Sequence, residues 1–104
     1  MLQTIGFNSL EEGDLADFKK LFPEYSKKIE RKLKKISAFI INVKAYRKSG
    51  SRKKFSVHVR VVAPTKIFEA EAHDWDFRRV LHKVFNKLEE EIEHKFHVSD
   101  EHKR

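Results

Sequence analysis

The sequence predicts a single α+β domain of order β-α-β-β-β-α, an antiparallel-rich four-stranded sheet with two helices packed on one face. Three observations predict it. Two long segments repeat apolar residues at intervals of three and four, as amphipathic helices do, and between them lie three segments that alternate apolar and polar like strands. The 104 residues suffice for one core made by two layers, not for a second core. Nine Phe and a 39% hydrophobic fraction supply apolar surface to offset chain entropy although 38% of residues are charged. The domain is expected over residues 1–98, with a flexible polar tail at 99–104.

Leu2 to Phe7 is either a short first strand or a frayed end. From Asp14 onward, Leu15, Phe18, Phe22, Tyr25, Ile29, Leu33 and Ile36 form one helical stripe. Pro23 falls inside it, removing a backbone donor and restricting Phe22, so the segment is one kinked helix or two near-collinear ones. Phe39, Ile41, Val43 and Ala45 alternate with Ile40, Asn42, Lys44 and Tyr46 as one strand, and Phe55 to Val62 alternates likewise as a second. The polar, Gly-containing stretch from Arg47 to Lys54 reads as their hairpin connection, with a basic tip. Ala63-Pro64-Thr65 turns the chain into a third strand, Ile67 to Ala72, with Phe68, Ala70 and Ala72 inward and Glu69 and Glu71 outward.

The acidic turn Asp74-Trp75-Asp76 opens the last helix, where either Asp can accept from orphan amides. Its stripe is Phe77, Val80, Leu81, Val84, Phe85, Leu88, Ile92 and Phe96. With both helices on one sheet face, the other face is left to solvent or a partner. It would carry Asn42, Lys44, Tyr46, His58, Arg60, Glu69 and Glu71.

Charge is segregated along this framework. Fifteen of the twenty-three Lys and Arg residues lie between Lys19 and Arg60 against only Glu24 and Glu30, although the whole chain is only +7. A cationic surface of that density is the footprint of a polyanion, because neutralised phosphates release condensed counterions. Nucleic acid is the leading partner. On the first helix Lys27, Lys28, Arg31, Lys32, Lys34 and Lys35 flank the apolar stripe with Glu30 as the one acid among them, an arrangement that costs helix stability. The plain alternative is a solubilising face.

The last helix places Arg78, Arg79, His82, Lys83, Asn86 and Lys87 before Glu89, Glu90, Glu91 and Glu93, an order opposed to the helix dipole. Two helices on one sheet face allow its bases and those of the first helix to line a continuous basic groove; the plain alternative is weak surface ion pairs between the early bases and late acids, such as Lys87 with Glu91. The candidate RNA-binding residues are Lys27, Lys28, Arg31, Lys32, Lys35, Arg79, Lys83 and Lys87, with Lys44, Arg52, Lys53, Lys54 and Arg60 as a secondary hairpin and sheet set. Tyr46 and Trp75 could stack on bases, although a Trp at a strand-to-helix junction is more simply a core plug.

Other chemistries find little support. The absence of Cys removes disulfides, thiolate metal sites and cysteine nucleophiles, and fits the cytoplasm. Of the six His only His94 and His97 are close enough in sequence to share a face, so no metal site is expected. Asp74 and Asp76 are simpler as caps than as a catalytic pair, and no Gly-rich phosphate loop or nucleophile elbow occurs. No enzyme activity, cofactor or small-molecule substrate is expected. The N-terminus has no secretory pattern, and no apolar run approaches the roughly 20 residues of a membrane helix.

The strand ending Glu69-Ala70-Glu71-Ala72-His73 continues as Asp74-Trp75-Asp76-Phe77-Arg78-Arg79-Val80-Leu81-His82-Lys83-Val84-Phe85-Asn86-Lys87-Leu88. This stretch resembles the ribosome hibernation-promoting factor family, the protein Y-like ribosome-associated inhibitors. Asp76, Leu81, Asn86, Lys87 and Leu88 match its pattern, and Lys32-Leu33-Lys34-Lys35 is similar to the basic end of its first helix. The likeness extends loosely from Leu2 to Phe96 and is sharper from Ile67 to Leu88.

The resemblance implies a domain with double-stranded-RNA-binding-like topology, seated in the small-subunit channel between head and body. There it would occlude mRNA and tRNA sites through ribosomal RNA and inhibit translation in idle ribosomes without chemistry. It also implies the short form, monomeric and without a dimerisation module. Arg78 stands where the family commonly has Tyr, His82 where it has Asp, and Glu89 to Glu93 replace a more basic continuation. Two other readings use the same residues: a generic structured-RNA or double-stranded-RNA-binding module, and a protein-interaction domain that docks a basic partner on its acidic ends.

Overall fold

The chain opens with strand β1 (Leu2–Ile5) and a 3-10 turn (Phe7–Ser9), then enters helix α1 (Glu12–Leu33). Strands β2 (Ala38–Ser49), β3 (Arg52–Val62) and β4 (Ile67–Asp74) follow, and helix α2 (Phe77–His102) completes the order. The structure, a computed structural model, describes the backbone of residues 1–49 and 52–102 and the side chains of residues 1–46 and 52–95. The sheet order is β1-β2-β3-β4; β2, β3 and β4 form an antiparallel meander, and β1 pairs parallel to β2. The expected β-α-β-β-β-α domain is therefore observed, and Leu2 to Ile5 is a strand rather than a frayed end. Its parallel pairing follows from the connection, because α1 carries the chain back along the sheet before β2 begins.

The local chemistry explains the boundaries. Helix α1 starts on a capping box in which the Glu11 amide donates to Asp14 Oδ2 at 3.2 Å and the Glu11 side chain accepts in return. It runs unbroken through Pro23, which is exposed, so that water can serve the carbonyl left without a proline amide. It stops in a tight turn at Lys34, whose φ is +64°, with the Lys35 amide donating to the Leu33 carbonyl at 2.7 Å. That geometry is a strained γ-turn. Gly6 also has a positive φ, +81°, and a Cβ there would meet the Val43 carbonyl oxygen at 2.0 Å, so the close approach of this turn to β2 requires glycine.

The core lies between the helices and one sheet face. Phe18, Leu21, Tyr25 and Ile29 of α1 and Val80, Leu81, Val84, Phe85, Leu88 and Ile92 of α2 are buried against Phe39, Ile41, Val43, Phe55, Val57, Val59, Val61, Phe68 and Ala72. Aromatic rings join these elements: Phe22 of α1 packs edge-on to Phe39 of β2 at 5.3 Å between centroids, and Tyr25 of α1 stacks on Phe85 of α2 at 4.9 Å.

Two boundaries differ from the sequence reading. The stretch Arg47 to Lys54 is not a loop: β2 continues to Ser49 and β3 begins at Arg52, with Arg47 opposite Lys53 and Ser49 opposite Arg52 across a register shift. Backbone pairing needs no apolar side chains, so the basic residues do not end the strands. Gly50 and Ser51 lie outside the described residues. Helix α2 continues through Ser99 to His102, where a polar tail was expected, because no Gly or Pro interrupts it. Lys103 and Arg104 lie outside the described residues.

Candidate nucleic-acid interface

The last two turns of α1 and the turn after it carry the densest charge. Lys27, Lys28, Arg31, Lys34 and Lys35 are all exposed. Helical spacing sets Lys27 and Lys28 one turn before Arg31, and Lys34 and Lys35 follow it by three and four residues, so Arg31 is the centre of a positive field. Among the described residues, Lys27, Arg31 and Lys35 form no ion pair. Lys28 keeps its ammonium 5.4 Å from the Tyr25 ring centroid. Lys32 is half-buried and engaged by Glu93 of α2, so it helps to hold the two helices together.

The bases of α2 point elsewhere. Lys83 Nζ lies 2.7 Å from Asp74 Oδ2 and donates to the His73 carbonyl at 3.4 Å. Arg79 stands 3.5 Å from Asp74 Oδ1, and Lys87 donates to the Glu71 carbonyl at 3.1 Å. All three lean on the end and edge of β4. The hydrogen bond from Lys83 holds the buried Asp74 carboxyl below the usual carboxylate range, with the Asp76 amide and the Arg79 charge adding to it against the cost of burial.

The seam between the helices is made by other residues. Tyr25 Oη hydrogen-bonds His82 Nδ1, and burial, reinforced by the charges of Glu89 and Glu24, pushes the Tyr25 hydroxyl pKa up. One carboxylate oxygen of Glu89 is buried there with no hydrogen-bond partner among the described residues. The expected continuous basic groove is therefore not formed. Arg79, Lys83 and Lys87 recur every four residues and make one row of α2, while His82, Phe85, Glu89 and Glu93 make the row that faces α1.

The secondary set also divides. Lys44 is exposed on the open sheet face, and Arg52 and Lys54 lie over the Trp75 ring at 4.6 and 5.9 Å from its centroid. Lys53 projects to the opposite side and stands 3.6 Å from Glu11 at the start of α1. Arg60 Nε and His58 Nε2 share Glu69 Oε1 at 3.2 and 3.1 Å. Trp75 is 42% exposed, so it is not a core plug. Among the described residues no group of three or more His, Cys, Asp or Glu is placed to hold a metal ion, and no helix is long and apolar enough to cross a membrane.

A family model described as Sigma 54 modulation protein / S30EA ribosomal protein matches residues 20–97, most of this chain. The chain belongs to that family. The S30EA family is one of ribosome-associated hibernation and modulation factors and is not known as a family of enzymes. No curated protein matches the chain.

As an S30EA protein the chain gives physical roles to the residues that carried the resemblance. Asp76 is the N-cap of α2, accepting from the Arg79 amide at 3.1 Å, while its own amide donates to Asp74 Oδ1 at 3.1 Å. Leu81 and Leu88 are fully buried, and Lys87 ties α2 to β4. Only Asn86 among the five faces solvent without a bond to the fold. The signature therefore marks how α2 is seated more than what it touches. Sequence reasoning missed the Asp74, Lys83 and Arg79 cluster and the Tyr25–His82 link, because both join residues whose neighbourhood depends on the sheet register.

Proposed function

We propose that this S30EA protein binds small-subunit ribosomal RNA through the outward face of α1 and blocks translation in idle ribosomes, acting in the cytoplasm as a monomer. The observation that carries the proposal is the field of Lys27, Lys28, Arg31 and Lys35. These bases are exposed, and among the described residues Lys27, Arg31 and Lys35 have no carboxylate partner, so their mutual repulsion is left almost uncompensated, whereas the α2 bases Arg79 and Lys83 are held by Asp74. Arg79, Lys83 and Lys87 add positive potential beside β4, and Lys44, Arg52, Lys54 and Arg60 add it on the sheet; Lys32 and Lys53 serve mainly to hold α1 in place. No step of chemistry is required. Inhibition is steric, by occupation of the channel that mRNA and tRNA need.

Sedimentation with vacant ribosomes through a sucrose cushion at several salt concentrations tests this. The wild type should co-sediment saturably with small subunits, with salt-sensitive affinity, and a Lys28→Glu, Arg31→Glu, Lys35→Glu variant should not. Retained affinity for free structured RNA without ribosome binding at low salt would instead support a generic RNA-binding module.

A further inference from the structure

The face of the sheet turned away from the helices holds a second constellation. The register sets Lys44, Ser56 and His73 in one row across β2, β3 and β4, and Asn42, His58 and Glu71 in the next. Toward the hairpin, Tyr46 stands opposite Lys54, and Lys54 reaches the Trp75 ring. A cavity of about 290 Å³ opens here, lined by Asn42, Lys44, Tyr46, Ser56, His58 and His73 together with the acid Glu71.

The two ends of this face differ. At the far end Arg60 and His58 are both engaged by Glu69. At the hairpin end Lys44, Arg52 and Lys54 meet no carboxylate among the described residues, and Glu71 Oε1 on the same face stands 3.6 Å from His73 Nε2. Two large rings are exposed at this cationic end, Tyr46 at 46% and Trp75 at 42%.

We propose that the hairpin half of the open sheet face binds single-stranded RNA. One base stacks on Tyr46, a second packs against the Trp75 edge, and the flanking phosphates are met by Lys44, Lys54 and Arg52. Asn42 and Ser56 offer hydrogen bonds to a base or sugar entering the cavity. Tyr46 and Trp75 lie two strand spacings apart, roughly 10 Å, which suits about two stacked bases on a sheet. A duplex keeps its base faces inside and would gain nothing from the rings, so exposed aromatics among cations favour an unpaired strand. The site is on the layer opposite α1, so it can be tested apart from that face, although its cations Lys44, Arg52 and Lys54 also add to the positive potential proposed above.

Trp75 is the only Trp of the chain, so its fluorescence reports on this corner alone. Titration with a short single-stranded oligoadenylate should quench it saturably, and less tightly as salt rises. Tyr46→Ala should weaken binding by roughly 5- to 150-fold, the range for losing one base–aromatic stack, while Tyr46→Phe retains it. Because Tyr46 is exposed, neither change threatens the fold. The Lys28→Glu, Arg31→Glu, Lys35→Glu variant should bind the oligonucleotide as the wild type does. Unchanged affinity in Tyr46→Ala, or loss of binding in the α1 variant, would overturn the proposal. Equal binding of polyglutamate with the same Tyr46 dependence would overturn it in favour of an acidic peptide. Failure of the α1 reading would show only in the ribosome sedimentation, so the two are separable.

Discussion

Asp74 joins three parts of the molecule through one buried carboxylate: the end of β4, the amide of Asp76 in the turn, and the Arg79 and Lys83 side chains of α2. Removing it leaves the part-buried Asp76 amide short of its acceptor and two cations without a counter-charge, although both can rehydrate. Asp74→Ala should cost about 1–3 kcal/mol in chemical denaturation at neutral pH. Its carboxyl titrates lower in the folded than in the unfolded chain. Its contribution is therefore present above the ordinary carboxylate pKa and fades as pH falls through and below it, so the acid limb of wild-type stability should flatten in Asp74→Asn. At this scale the sequence showed that two Asp flank Trp75 and that either could cap α2. It did not show that Asp76 caps while Asp74 anchors, since that depends on where β4 ends beside the first turn of the helix.

Elements were more legible than their ends. The apolar stripes of both helices and the alternation in β2, β3 and β4 appear as read, because burial on one face imposes a period that the chain must display. The length of the β2–β3 hairpin was hidden, since backbone pairing can continue without an apolar pattern in the side chains. The direction of α2's basic row was hidden too, because a helical period shows which residues share a row but not which neighbour the row meets. Helix α1 gives the prediction that belongs to this scale. Arg31 has Lys27 and Lys28 one turn before it and Lys34 and Lys35 just after it. Arg31→Glu turns these repulsions into attractions and should raise stability by about 0.5 kcal/mol at low salt, even against the helix dipole. The gain should vanish in high-salt melts, and the same variant should bind ribosomes less tightly. A drop in stability at low salt would mean that Arg31 has a partner within the fold.

For the whole molecule, composition disclosed the charge and the fold distributed it. The chain's excess of bases between Lys19 and Arg60 runs through α1, β2 and β3, which occupy both layers, so one run of sequence supplies cations to two opposite faces. On the helix layer they are exposed and mutually repelling; the bases of α2 beside β4, Arg79, Lys83 and Lys87, are instead bonded to Asp74 and to backbone carbonyls. A polyanion should feel that difference. Each phosphate contact contributes about one unit to the slope of log affinity against log salt. Replacing Lys28, Arg31 and Lys35 by Ala should therefore lower the slope of small-subunit binding by about three. Replacing Lys83 and Lys87 should lower it by less than two, because these ammonium groups must first leave Asp74 and the Glu71 carbonyl. If both sets instead shift the slope in proportion to the charges removed, the fold does not rank its cations. Net charge alone would then govern the association, and the outward face of α1 would hold no privilege over the edge of β4.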